Sequence, residues 1–297
     1  MEPSGATARA ISRRVHSYAH DGLTFDVIDE GPLDGPVIIV LHGFPDRARN
    51  FGPLISALTA QGFRVLAPDQ RGYSPGARPK GVRAYAIGRL TADIIALADQ
   101  AEVTEFHVVG HDWGAVVAWE LAASYPDRIA TITALSVGHP RAFIAALVRG
   151  QIFRSWYMIA VQLPWLPERI LGLLLRRRSA VPIDGVVEFW REPGAATAAL
   201  NWYRAMLHRT SRTGRIRVPT LYVWSTGDPF LGRSAAQLTE RHVKGPYRFV
   251  VLDGVSHWIP HERPDHVAAM LVAHITENGG TDAGADDHGA EDQSCSI

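Results

Sequence analysis

Asp112 is the residue on which the chemistry of this sequence turns. It sits at the centre of G-H-D-W-G, with Gly110 and Gly114 two positions to either side. The apolar run before it, Phe106 to Val109, predicts a buried strand, and Ala115 to Ala123 predicts a helix. A strand that turns sharply into a helix around one reactive side chain is a nucleophile elbow. Small residues are needed at both flanking positions, because strand and helix pass too closely for a Cβ. The usual occupant of the centre is serine. A carboxylate there attacks carbon and becomes an ester.

Such an ester must be hydrolysed, which calls for a base and a group that orients it. Asp228 follows the strand-like run Thr220–Trp224, in S-T-G-D-P-F, and His257 follows Arg248–Leu252, in D-G-V-S-H-W. Both lie just past predicted strand C-termini, where open α/β sheets assemble their sites. The strand ending at Val137 runs into G-H-P-R, which carries no acid, and Asp253 is a rival too near His257 in sequence to orient it. His257 and His261 also invite a metal reading, but Pro260 spoils a helical i, i+4 face and no third ligand is at hand. Taken alone, one loop aspartate and one histidine among 13 carry little. Nucleophile, acid and base in the right order at the right strand ends carry the reading.

His42-Gly43-Phe44-Pro45 follows the β-branched run Val37–Leu41 and is placed to supply an oxyanion hole. The Phe44 N–H would be one donor and the Trp113 N–H the other; the plainer alternative is that Gly43 and Pro45 only shape a turn. Asp69, Arg71 and Gly72 read as a structural ion pair and turn.

The elements that must position these groups alternate. Val15–Tyr18 and Leu23–Ile28 predict two early strands joined at Asp21-Gly22. Val37–Leu41, Arg64–Ala67, Phe106–Val109 and Ile129–Val137 predict further strands, with helices at Phe51–Ala60 and Tyr85–Gln100 between them. That alternation means an α/β fold with a mostly parallel sheet. It stops from His139 to Arg217, a stretch helical in pattern that holds Trp156, Trp165, Trp190 and Trp202, and resumes at Thr220 before a last helix over Pro264–Ile275. The expected organisation is a core over 1–138 with residues 1–12 disordered, a helical cap over 139–217, the rest of the core over 218–276, and a disordered Gly-rich polar tail over 277–297.

Composition excludes several classes. The chain has 297 residues, with 30 Lys plus Arg against 30 Asp plus Glu, so no overall field points to nucleic acid or an anionic surface. Cys295 is the one cysteine and the N-terminus has no apolar secretory core, which together suggest a cytoplasmic, soluble protein. The apolar stretch Ile170–Leu175 is too short to span a bilayer and ends in Arg176-Arg177-Arg178, read as solvated cap surface.

With these pieces in place, the sequence resembles the epoxide hydrolases of the α/β-hydrolase fold, over roughly residues 14–276. The matching segments are HGFP at 42–45, DQRGYSPGARP at 69–79, GHDWG at 110–114, the Asp228 loop and His257-Trp258. Two cap segments sharpen the match. Tyr157 in S-W-Y-M-I-A-V-Q-L-P is similar to the family's Tyr-x-x-x-Phe-Gln-x-Pro, with Val161 replacing its Phe, and Tyr203 stands in N-W-Y-R. The resemblance implies that both phenols hydrogen-bond and protonate the epoxide oxygen as Asp112 attacks carbon. It further implies that water activated by His257 and Asp228 releases a vicinal diol. The alternative for each tyrosine is packing within the cap.

Substrate contacts are expected from Phe44, Trp113, Trp156 and Trp258, for a lipophilic or aromatic epoxide. No cofactor, metal, nucleic-acid partner or membrane insertion is expected, and the chain reads as a monomer or homodimer. The rival enzyme is a haloalkane or haloacid dehalogenase with the same three groups. Phe44 in place of a frequent halide-binding Asn, and Trp113 in place of the Arg of fluoroacetate dehalogenases, count against it. A serine esterase would need Ser at position 112. A ligand-binding protein on a retired hydrolase scaffold is the non-enzymatic alternative.

Overall fold

Two left-handed residues start the fold. Asp21 and Gly22 have φ of 55° and 72°, a two-residue turn whose twist matches that of paired strands. It joins β1 (Ser17–His20) to β2 (Leu23–Glu30) antiparallel, with His20 opposite Leu23. The turn therefore places β1 two residues later than the expected Val15–Tyr18. The structure, a computed structural model, describes residues 13–176, 184–208 and 213–278. The expectations for 1–12, for Arg177 and Arg178, and for all but the start of the tail lie outside the described residues.

β2 pairs antiparallel with β4 (Arg64–Pro68), and every later pairing is parallel. The remaining strands are β3 (Val37–Leu41), β5 (Phe106–His111), β6 (Ile129–Leu135), β7 (Thr220–Ser225) and β8 (Tyr247–Leu252). Their spatial order is β1-β2-β4-β3-β5-β6-β7-β8, so β3 and β5 lie side by side at mid-sheet. Both are buried on two faces, as their unbroken apolar runs require. Ile39, Leu41 and Val108 pack to one side with α2 (Ile87–Gln100) and α3 (Trp113–Ser124). Ile38, Val40 and Val109 pack to the other with α1 (Gly52–Thr59) and α12 (Pro264–Asn278). The period of two in a strand thus builds both cores.

Three boundaries differ from expectation. α3 begins at Trp113, directly on the elbow, and a 3-10 turn over Val82–Tyr85 precedes α2. α12 passes residue 277, where the tail was expected to begin, and ends at Asn278, whose side-chain amide donates to the His274 carbonyl at 2.8 Å. Asp69 and Arg71 are both in ion pairs, but not with each other. Asp69 takes Arg47, and Arg71 holds Asp93 through two bonds of 2.7 Å with both side chains buried.

Between β6 and β7 the chain forms α4 (Pro140–Ala146), α5 (Gln151–Arg154), α6 (Tyr157–Ala160), α7 (Leu166–Arg176), α8 (Val186–Arg191) and α9 (Ala195–Ala205). This insertion is fastened to the sheet at named points. The Trp202 indole N–H donates to the Arg71 carbonyl at 2.8 Å, and Glu192 bridges Arg47 and Arg78. Within it, Arg204 ties α9 to Glu168 and to the carbonyls of Val161 and Leu163. α10 (Arg233–Leu238) and α11 (Ile259–Glu262) complete the elements.

Candidate active site

The ends of β3, β5, β6, β7 and β8 converge on Asp112. Its φ of 52° and ψ of −117° turn β5 into α3 without a break. Glycine is obligatory on either side. A Cβ on Gly110 would stand 2.2 Å from the Gly114 carbonyl oxygen, and one on Gly114 would stand 2.1 Å from that of Leu41.

The Asp112 carboxylate is held at both oxygens. The Phe44 N–H donates to Oδ1 at 2.8 Å, and His257 Nε2 lies 3.4 Å from Oδ2. Phe44 follows β3 in a turn that His42 braces: its Nδ1–H donates to the Gly43 carbonyl, and its Nε2 accepts from the Gln70 N–H. Trp113 is the first residue of α3, so its N–H has no intrahelical acceptor.

On the far side of the imidazole, His257 Nδ1–H donates to Asp228 Oδ2 at 2.7 Å. Asp228 is fixed in turn by the N–H groups of Phe230 and Leu231, which donate to its Oδ1 at 2.7 and 2.9 Å. Asp253 points elsewhere, to Thr226, and His261 pairs with the buried Asp46 at 2.6 Å. The rival acid and the metal pair are thus both otherwise engaged.

Burial alone would raise the Asp112 carboxyl, but its hydrogen bond and charge contact with His257, with help from the Phe44 N–H, hold it below the ordinary carboxylate value. For His257, burial opposes charge, yet Asp228 above all, with Asp112, pushes the imidazole up to about 10. At neutral pH the resting site therefore pairs a carboxylate with an imidazolium. If Asp112 loses its charge, His257 loses one of the two partners that keep it protonated. Asp112→Asn should accordingly move the His257 titration down from about 10. Ring NMR shifts against pH measure this, and an unmoved titration would mean that Asp112 does not set the charge of His257.

Two cavities meet at Asp112. A narrower one of about 90 Å³ runs under α4 past Trp113, Val116, Phe143 and Met206. A wider one of about 640 Å³ passes Phe44, Trp156, Phe230, His257 and Trp258. Asp112, Tyr157 and Tyr203 line both. The two tyrosine rings meet edge to face at 6.2 Å, and Tyr203 packs on Trp113 at 4.9 Å and Phe44 at 5.2 Å. Burial first, then the nearby Asp112 charge, raises both phenols above their ordinary value, so they stay protonated as donors. Of the four expected contact residues, Phe44, Trp113 and Trp258 stand at the centre. Trp156 stands at the mouth, 66% exposed.

Several site residues have no counterpart among the sequence-based expectations. Phe230 packs its ring between His257 and Tyr157, at 5.1 and 5.7 Å. Ser136 Oγ–H and His111 Nε2–H both donate to the His257 carbonyl, at 2.7 and 2.9 Å, and so fix the backbone of His257. Burial, with the charge of His257 beside it, lowers His111 to about 4 and keeps it neutral. The signals available were weak: His111 adjoins Asp112, Phe230 adjoins the Asp228 loop, and Ser136 follows a strand.

Comparison with known proteins places this geometry in context. The family model for the α/β hydrolase fold matches residues 36–181. The AB hydrolase superfamily protein YfhM of Bacillus subtilis is 36% identical, the match covering 86% of this chain and 95% of that protein. Epoxide hydrolase A of Mycobacterium tuberculosis is 33% identical over the same shares. Among solved structures, epoxide hydrolase A from Mycobacterium thermoresistibile superposes with a TM-score of 0.75 at 29% identity, covering 88% of this chain and 97% of that one.

Proposed function

Since the chain belongs to the epoxide hydrolases of the α/β-hydrolase fold, we propose that it converts a lipophilic epoxide and water to a vicinal diol through an ester on Asp112. The observation that carries this reading is the meeting of four side chains at one point: the Asp112 carboxylate, the His257 imidazole 3.4 Å from it, and the Tyr157 and Tyr203 phenols that line the same two cavities as Asp112. The helices over 139–217 serve as the cap that brings the phenols there.

An Asp112 oxygen attacks an epoxide carbon and the carbon–oxygen bond of the ring breaks. The departing oxygen takes a proton from Tyr157 or Tyr203, since an alkoxide leaves poorly without one. Asp112 is now a neutral ester, and His257 has lost a negative neighbour. The imidazolium gives up its proton, which returns to the tyrosinate, and the neutral ring becomes a base oriented by Asp228. It deprotonates water, and hydroxide adds to the Asp112 carbonyl carbon. The oxyanion forms where the Phe44 N–H already donates, with the Trp113 N–H as second donor. Collapse breaks the ester bond, the leaving alkoxide takes the remaining proton of the hydroxyl added to Asp112, and the diol departs while His257 keeps the proton it took from water. Carboxylate and imidazolium are restored. Neither step calls for a metal or cofactor.

Apolar walls on both sides of Asp112 favour a substrate with lipophilic groups on one or both epoxide carbons. The single cysteine, Cys295, fits a cytoplasmic setting.

One turnover in ¹⁸O-labelled water, with enzyme in excess, tests the route. The first diol should be unlabelled, because both its oxygens come from the epoxide and from Asp112, and the label should reside in the peptide holding Asp112. Label in that first diol would mean direct attack of water on the epoxide.

A further inference from the structure

The insertion leaves a broad apolar surface uncovered at the mouth of the wider cavity. Phe153, Trp156, Leu163, Leu166, Ile170 and Leu174 all line that cavity and are all exposed, Phe153 to 83%. Side chains that face both a cavity and solvent form its rim. Beside the rim, Trp165 is 62% exposed with the Arg169 guanidinium 5.5 Å over its ring. Single exposed apolar residues are ordinary, whereas a group of this size around one opening marks a surface that meets something.

Its charge is one-sided. Arg154 lines the cavity itself and Arg169 stands over Trp165, while the one acid between residues 140 and 174, Glu168, is engaged by Arg204. Arg149, Arg154 and Arg169 are exposed, and among the described residues none of them pairs with a carboxylate. The even charge balance of the whole chain hides this local excess.

We infer that this face docks on an anionic lipid bilayer. Aromatic and branched side chains set at the headgroup boundary, with arginines among the phosphates, are the pattern of an interfacial surface. Among the described residues no helix is long and apolar enough to cross a membrane, so the contact is peripheral. A second copy seated isologously would bring the same arginines, Arg154 and Arg169, to the seam from both sides, with the neighbouring Glu168 already engaged by Arg204. Anionic headgroups supply that missing charge. Docked this way, the wider cavity opens onto the bilayer, and a lipophilic substrate enters from lipid without crossing water. That entry route rests on the epoxide reading; the docking does not.

Flotation of the full chain with lipid vesicles tests it. The protein should rise with vesicles rich in phosphatidylglycerol, much less with pure phosphatidylcholine, and less again at high salt. Trp165→Ser with Leu173→Ser, both outside the catalytic cavities, should weaken binding about tenfold, leaving turnover of a water-soluble epoxide unchanged. Arg149→Gln with Arg169→Gln should weaken binding to the anionic vesicles by a similar factor. Failure to rise with either vesicle would overturn the proposal. So would a dimer in sedimentation velocity that Trp165→Ser with Leu173→Ser dissociates, since the occupant would then be a second copy. Because flotation needs no substrate, it stands or falls apart from the catalytic reading.

Discussion

Asp112→Ala should lower turnover by about 10⁵-fold or more and abolish covalent attachment of substrate. No neighbouring group can take its place. Asp228 is turned away, with both its oxygens committed to His257 and to the Phe230 and Leu231 N–H groups, and burial, the larger of the causes that raise the tyrosines, still keeps them protonated. Steady-state rates on a responsive epoxide measure the effect. Asp112→Asn, which keeps the shape of the elbow, guards against a folding defect. Activity surviving in both variants would place the nucleophile elsewhere.

Tyr157→Phe combined with Tyr203→Phe should slow ring opening by about 10³-fold or more. Each phenol lines both cavities together with Asp112, so either could reach the oxygen on which negative charge appears as the ring opens. Either one alone can still protonate the departing oxygen, so the single variants should lose much less than the pair. The aromatic rings remain in every variant, and with them the contacts of Tyr203 on Trp113 and Phe44. Thermal unfolding should therefore stay close to that of the parent. Rapid mixing and acid quenching, with the Asp112 ester counted by intact mass at each time, isolate this step. A double variant that alkylates at the parent rate would reduce both tyrosines to packing.

How much of this site could be read beforehand follows from distance along the chain. Asp112, Asp228 and His257 each follow a strand by a few residues, and strands announce themselves by apolar runs, so their meeting was legible from order alone. Tyr157 and Tyr203 carry no such signal. Helical patterning is the same for a packed tyrosine and one that faces a cavity, and only the resemblance of their segments singled them out. Phe230, Ser136 and His111 act through space on His257, and nothing in their local sequence points at a histidine so far away. The partners of Asp69 and Arg71 were missed for the same reason, since Arg47 and Asp93 reach them from separate elements. Turn geometry set the start of β1 and elbow geometry that of α3, because left-handed φ at Asp21 and Asp112 leaves no mark in hydrophobic periodicity. The apolar rim leaves no mark in the sequence, because helical spacing of Leu and Ile is the same whether the face meets a core or solvent.

If Asp112 opens an epoxide and carries the product as an ester until His257 releases it, a protein without the base should trap that ester. Intact mass of His257→Gln, after incubation with a mixed panel of epoxides and haloalkanes, tests this most directly. Without its base the protein should stall after the first step. The expected result is a mass gain equal to one whole epoxide, located by peptide mapping on Asp112. A gain equal to a haloalkane less hydrogen halide, with no epoxide retained, would contradict the account and move the chemistry to dehalogenation.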